Sequence, residues 1–215
     1  MPLSFRSIAI QIGLFHEYLY LVVGVLAILL TLSNKRFRWL WIFLISSGIA
    51  HLVTIILASR GINNIPFYHL IGLLEISLVF LLYLEIGIAK RWKYAVGVLL
   101  VYYLINSIVF SSIWEISGLS LALVQLCIFG FGTNFLYNLY NDPNPKPLQQ
   151  RPFFLMNAGF MLYAAGSFLS LAVNERLIAN MSDELFDSSW LIEAGFGILR
   201  LILIVFGLII YRIGR

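Results

Sequence analysis

Apolar residues fill the chain in seven long runs, at about 13–32, 37–59, 66–89, 94–110, 116–140, 152–174 and 188–211, separated by short polar connections. A hydrocarbon core ~30 Å thick takes about 20 helical residues to cross, so each run reads as a transmembrane helix. The connections SNKRFR, SRGINNI, AKRWK, SSIWE, NDPNPKPLQQR and NERLIANMSDELFD are short or rich in Pro, Asn and Asp, as turns between antiparallel helices are. Pro66 and Pro152 each open an apolar run, where a missing backbone N–H does no harm. The pattern therefore predicts an all-α seven-helix bundle, a single polytopic domain over residues 1–215.

Polar residues interrupt these runs at helical spacing. The run from Pro66 to Lys90 carries His69, Glu75 and Glu85, and its Tyr68, Glu75 and Leu82 recur every seven residues with Gly72 beside them. Ser47, His51, Thr54 and Ala58 share a face of the second run, and Gly118, Gln125 and Gly132 share one in the fifth. Gly159, Tyr163, Gly166 and Ser170 line one side of the sixth, while Glu193, Gly197, Arg200, Ile204, Gly207 and Tyr211 form the longest line, in the seventh. Small residues let membrane helices approach and polar ones hydrogen-bond across the contact, so these are packing faces first. An ionisable group inside a span costs roughly 2.5–3.5 kcal/mol or more, so Glu75, Glu193 and Arg200 need partners or a polar interior.

Orientation follows from the basic residues near span ends. Lys35, Arg36, Arg38, Lys90, Arg91, Lys93, Lys146, Arg151, Arg212 and Arg215 fall on one side, against Arg6, Arg60 and Arg176 on the other. Ten against three puts the N-terminus outside and the C-terminus in the cytoplasm, an alternation that an odd number of spans satisfies. Glu115, Glu175, Asp183, Glu184 and Asp187 then lie in outer loops.

Composition narrows the class further. With 61% hydrophobic and 11% charged residues, the chain leaves no room for a soluble domain, and its formal +4 reflects loop residues rather than a nucleic-acid surface. The single cysteine, Cys127, lies within a span, which excludes an intramolecular disulfide and a CxxC metal site. The N-terminus lacks a basic region followed by a small-residue cleavage site, so no cleaved signal peptide is expected. Trp39, Trp41, Trp92, Trp114 and Trp190 all stand near span ends, as an interfacial belt requires.

With this topology His16, His51 and His69 fall in the outer half of the bilayer or at its edge, as do Glu17, Glu75, Asn106, Asn174 and Glu193, while Gln125 and Arg200 lie near the midplane. If the stripes face inward, they line a polar cavity open to the outside and closed below by an aliphatic inner half. The ligand-binding candidates are His51, Tyr68, His69, Glu75, Asn106, Gln125, Glu193 and Arg200. The alternative is that these groups only hydrogen-bond one another to fix packing. Glu193 and Arg200, two turns and roughly 10 Å apart on one face, bracket a polar group, reach one another through extended side chains, or pair with a neighbouring helix, Glu75 or another inward acid being the expected partner of Arg200. A zinc site of His16, His51 and His69 with Glu75 as base is conceivable chemistry, but no two histidines share a helix at i,i+4, and interfacial exposure accounts for His16 and His69. No cofactor or metal is expected. The lysines all lie in loops, which excludes a retinal Schiff base. Glu85 is the sole acid of the inner half, expected to reach water beside Lys90 and Arg91, which disfavours a monomeric ion path.

The segments NNIPFYHLIGLLE and RPFFLMNAGFMLYAAGSFLSLAVNE resemble seven-span membrane modules of Bacteroidota, which occur as input regions of sensor histidine kinases or as free-standing proteins. Tyr68, His69 and Glu75 match the first pattern; Pro152, Asn157, Gly159, Tyr163, Gly166 and Asn174 match the second. The last span departs from it: Trp190 is followed by Glu193 and Arg200 instead of a histidine and asparagines. The resemblance implies a receptor-like or sensory module in a bacterial cytoplasmic membrane. It would detect a small polar ligand or a membrane property and signal through a separate cytoplasmic or membrane partner or through a homo-oligomer. An oligomeric membrane effector or pore is the second expectation and a membrane-embedded enzyme the third.

Overall fold

The computed structural model describes residues 5–106, 114, 118–142, 147–178 and 183–214, with backbone only at 5, 6, 9, 10, 149, 172–178 and 183–189. Seven helices make up the described fold: α1 (Phe5–Thr31), α2 (Arg38–Ser59), α3 (Ile65–Ile86), α4 (Trp92–Ile105), α5 (Gly118–Tyr140), α6 (Pro152–Ile178) and α7 (Asp183–Ile213). Six contain segments long and apolar enough to cross a bilayer; α4 is the shorter one. Its 14 described residues rise about 21 Å, short of a ~30 Å core, and the rest of the run expected at 94–110 lies outside the described residues.

Helix ends follow local chemistry. Pro66 sits in the first turn of α3, where its ring fits and no N–H is missed, and Pro152 is the first residue of α6. The third apolar run continues to residue 89, but α3 stops at Ile86 because Gly87 takes a left-handed φ of 106°, open to a residue without Cβ. This turn is fastened to α5, with the Ala89 N–H donating to Asn134 Oδ1 (3.0 Å) and Asn138 Nδ2 donating to the Gly87 carbonyl (2.9 Å). Arg151 and Asp142, 2.9 Å apart, tie the end of α5 to the start of α6.

The helices contact in the order α1–α2–α3–α5–α6–α7 and back to α1, while α4 packs against α3 and α5. This closes a ring of six with α4 outside it, its Tyr94, Val98, Val101 and Leu104 exposed. Neighbours joined by short turns run antiparallel, whereas α1 with α7 and α3 with α5 run parallel: Gly13 faces Trp190 and Gly197 faces His16. The outer surface is apolar, with Phe15, Val22 and Leu29 on α1 and Ile192, Leu199 and Phe206 on α7 exposed at heptad spacing. Such faces are stable in lipid and unfavourable in water.

The expected aliphatic lower half is also aromatic. Tyr20 meets Phe43, Phe43 meets Phe160, and Tyr83 packs on Phe131, Phe135 and Phe160 in the ring's centre. Farther toward the end that bears Lys35, Arg38 and Arg151, Phe37 packs between Phe153 and Tyr211. Leu40, Leu44, Leu82, Ile204 and Leu208 are buried with these rings, and the wide rings fill the space that six helices enclose. Tyr83 donates to Asn157 Oδ1 at 2.6 Å, bridging α3 and α6. Replacing Tyr83 with Phe should therefore lower stability by about 1 kcal/mol, read by denaturant titration in detergent, because the buried amide oxygen loses its donor.

Glu85 lies 3.8 Å from Arg38, both half-exposed, instead of beside Lys90 and Arg91. Since α2 begins where α3 ends, the neighbouring helix is nearer than the following loop. Two tryptophans assigned to an interfacial belt also pack internally: Trp190 against Gly13, and Trp92 against Gly130 and Phe131.

Candidate functional site

Arg200 is the largest fully buried side chain, 1% exposed, in a chain whose surroundings are lipid and hydrocarbon. A guanidinium there needs acceptors and a polarizable enclosure. Its Nη1 donates to Glu75 Oε1 at 2.6 Å, an ion pair joining α7 to α3, and its Nη2 donates to the Tyr20 hydroxyl on α1. The guanidinium carbon stands 3.6 Å from the Tyr163 ring centroid, with the rings of Tyr20, Phe43 and Phe160 within 5.5–5.7 Å. Cation–π attraction of this kind strengthens where water is absent. Glu75 is satisfied twice, since Gln125 Nε2 donates to its Oε2 at 3.0 Å from α5.

Toward the opposite end from Lys35, this pair borders a cavity lined by Tyr20, Ser47, His51, Tyr68, Gly72, Glu75, Gln125, Tyr163, Glu193 and Arg200, among others. The space open to the centres of water-sized spheres is about 80 Å³, enough for on the order of five waters or one small solute. Glu193, one helical turn from Trp190, accepts only a long bond from the Tyr163 hydroxyl (3.3 Å). Tyr163 thus stands between Glu193 and Arg200, over the guanidinium and beside the carboxylate. Gln125 Oε1 is buried with no hydrogen-bond partner.

Six of the eight sequence candidates therefore meet at one cavity: His51, Tyr68, Glu75, Gln125, Glu193 and Arg200. His69 and Asn106 stand apart. His69, one residue and ~100° around α3 from Tyr68, turns to the ring of Tyr103 on α4 (centroids 5.8 Å). Asn106 lies at the end of α4, outside the ring, and donates to Ser120 Oγ at 2.9 Å. The exposure expected for His16 and His69 is not found, since both are buried. His16 lies under α7, its ring where a Gly197 side chain would be, and edge-on to Tyr20. His51 Nδ1 is 3.8 Å from Glu17 Oε1, so a histidine–carboxylate pair of α1 and α2 backs the cavity wall. No group of three or more metal-ligating side chains occurs among the described residues. The side chains of Asn174, Glu115, Glu175, Asp183, Glu184 and Asp187 lie outside the described ones, but the acids expected in loops are in part helical, Glu175 in α6 and Asp183, Glu184 and Asp187 in α7, because these helices run past the apolar runs.

Tyr20 is the member that sequence reasoning missed. The signal was present: Tyr20 follows His16 by four and Glu17 by three, so the three share a polar face in an otherwise apolar helix. The fold and the buried site define an integral membrane protein of the polytopic helical-bundle class. No protein-family model, curated protein or solved structure matches the chain.

Proposed function

We propose that the protein is a receptor-like sensory module of the bacterial cytoplasmic membrane, with seven spans, the N-terminus outside and the C-terminus in the cytoplasm. A small polar molecule enters the cavity from outside. Occupancy shifts α3, α6 and α7, and a separate partner reads the change at the loops around Lys90–Lys93 and 143–151. The observation that carries this reading is the convergence of Glu75, Tyr163, Glu193 and Arg200 from those three helices on one water-sized space. A ligand touching any of them biases how the three helices pack, and a differential contact of that kind is what a population shift requires. The concentration of lysine and arginine at the end away from the cavity supports an outward-facing site. Below the cavity Phe43, Phe160 and Tyr83 close the ring, which argues against a monomeric pore.

The test is a high-resolution experimental map of the protein in nanodiscs, together with mass spectrometry of solutes released on denaturation. The expected result is ordered non-protein density among His51, Glu75, Glu193 and Arg200 and a stoichiometric released solute. A dry, collapsed region with nothing released would leave the polar cluster as packing alone.

A further inference from the structure

We infer that the cavity's ligand is a small monocation carrying N–H donors, of the alkylammonium class, held between Glu193 and Gln125. This rests on the receptor reading above and adds the chemical class of what is bound. Charge gives the first argument. Glu75, Glu193, Arg200 and His51 line the space; Arg200 is consumed by Glu75 at 2.6 Å, and His51 Nδ1 faces Glu17, 3.8 Å away. One carboxylate, Glu193, is left facing a buried polar space with no cation beside it among the described residues.

Hydrogen-bond accounting gives the second. Both Glu75 oxygens are occupied, by Arg200 Nη1 and Gln125 Nε2, so Gln125 is locked with its amide nitrogen turned to Glu75 and its oxygen left over. That oxygen is buried, has no donor, and belongs to a residue, 2% exposed, that lines the same cavity. Glu193 receives only the long Tyr163 contact. The unused valences of Glu193 and Gln125 are therefore acceptors, while the unpartnered His51 Nδ1 faces Glu17 Oε1 at 3.8 Å. The spare donor of Arg200, Nε, lies on the guanidinium edge it shares with Nη2, which faces Tyr20 and α1. An anion would meet Glu193 without a counter-charge, and a neutral acceptor would leave Gln125 Oε1 unpaired. An ammonium group supplies up to three donors and the missing charge. A space of about 80 Å³ limits its substituents to a few carbons.

The inference is tested by thermal unfolding of the full chain in nanodiscs, titrated with methylammonium chloride. Acetamide, sodium acetate and potassium chloride are the parallel probes, at matched ionic strength. The expected result is a saturable rise in Tm with methylammonium alone. Glu193→Gln should weaken that response by about tenfold or more while the unliganded protein still unfolds cooperatively. Glu193→Asp should retain part of it, which separates a lost charge from a damaged fold. A saturable shift with acetamide or acetate but not methylammonium would overturn the cationic class and leave the receptor reading standing. So would a methylammonium response indifferent to Glu193→Gln. A flat response to every probe would remove both.

Discussion

Replacing Arg200 with methionine is expected to destabilise the protein by about 3–5 kcal/mol, the range found when one partner of a buried ion pair is removed. The cost does not measure the attraction between Arg200 and Glu75. It measures the carboxylate left behind at the centre of a ring of helices, with Gln125 Nε2 its one remaining donor. Methionine fills much of the arginine stem's volume, so a cavity contributes little. The double variant Glu75→Met/Arg200→Met should recover most of the loss, since two apolar side chains in place of a buried pair are often neutral. A residual deficit of about 1–3 kcal/mol is expected from Gln125 and Tyr20, which lose their partners. Arg200→Lys should fall between. It keeps the charge, but an ammonium has no plane to lay on Tyr163 and cannot reach Glu75 and Tyr20 from a fixed fork. Denaturant unfolding in detergent reads all three. A single variant as stable as the wild type, or a double variant no better than the single, would show that the pair does not hold α3 to α7.

The contact of α6 with α7 should be the second most sensitive place. A side chain at Gly207 would stand 2.7 Å from the Pro152 carbonyl oxygen, and one at Gly159 would stand 3.0 Å from the carbonyl of Arg200 and 3.3 Å from its Cα. These obstacles are backbone and cannot rotate away. Gly207→Val is therefore expected to cost about 1–3 kcal/mol by overpacking, and to displace α7 along the edge that carries Arg200. Gly195→Ala, on the same helix with nothing within 4 Å of its added Cβ, is the control and should be neutral or slightly stabilising. The same unfolding measurement applies, and equal effects at Gly207 and Gly195 would mean that the two helices are not in van der Waals contact there.

The stripes show how far helical periodicity reaches. Gly118, Gln125 and Gly132 are buried together on α5, and Glu193, Gly197, Arg200, Ile204 and Gly207 together face inward on α7, because a rigid 3.6-residue repeat sets side-chain direction within one helix. The Glu75–Arg200 pair was legible for a different reason, the high energy of leaving either charge alone in hydrocarbon. Periodicity could not place His69, whose residue type and depth resemble those of Tyr68 beside it. A turn of ~100° decides between cavity and α4, and it acts only once α4 is known to lie outside the ring. Asn106 went astray on the same fact. Histidines 16 and 69 were misread because depth along a span was equated with exposure, whereas helices that extend past the bilayer edge still bury one face against each other.

The amino-acid sequence by itself determined that this chain lives in a membrane, how many apolar runs it has, where two of its helices start near Pro66 and Pro152, and which face of each carries the polar groups. These properties are local, set by side-chain transfer energies, proline backbone limits and the helical repeat. Only the tertiary structure decided that α3 pairs with α5 while α4 is left outside, that Tyr20 and Tyr163 enclose Arg200, and that Glu193 has no cation beside it among the described residues. Those outcomes depend on which helix stands next to which, a contest among many near-equal apolar contacts that no single helix carries in its own sequence.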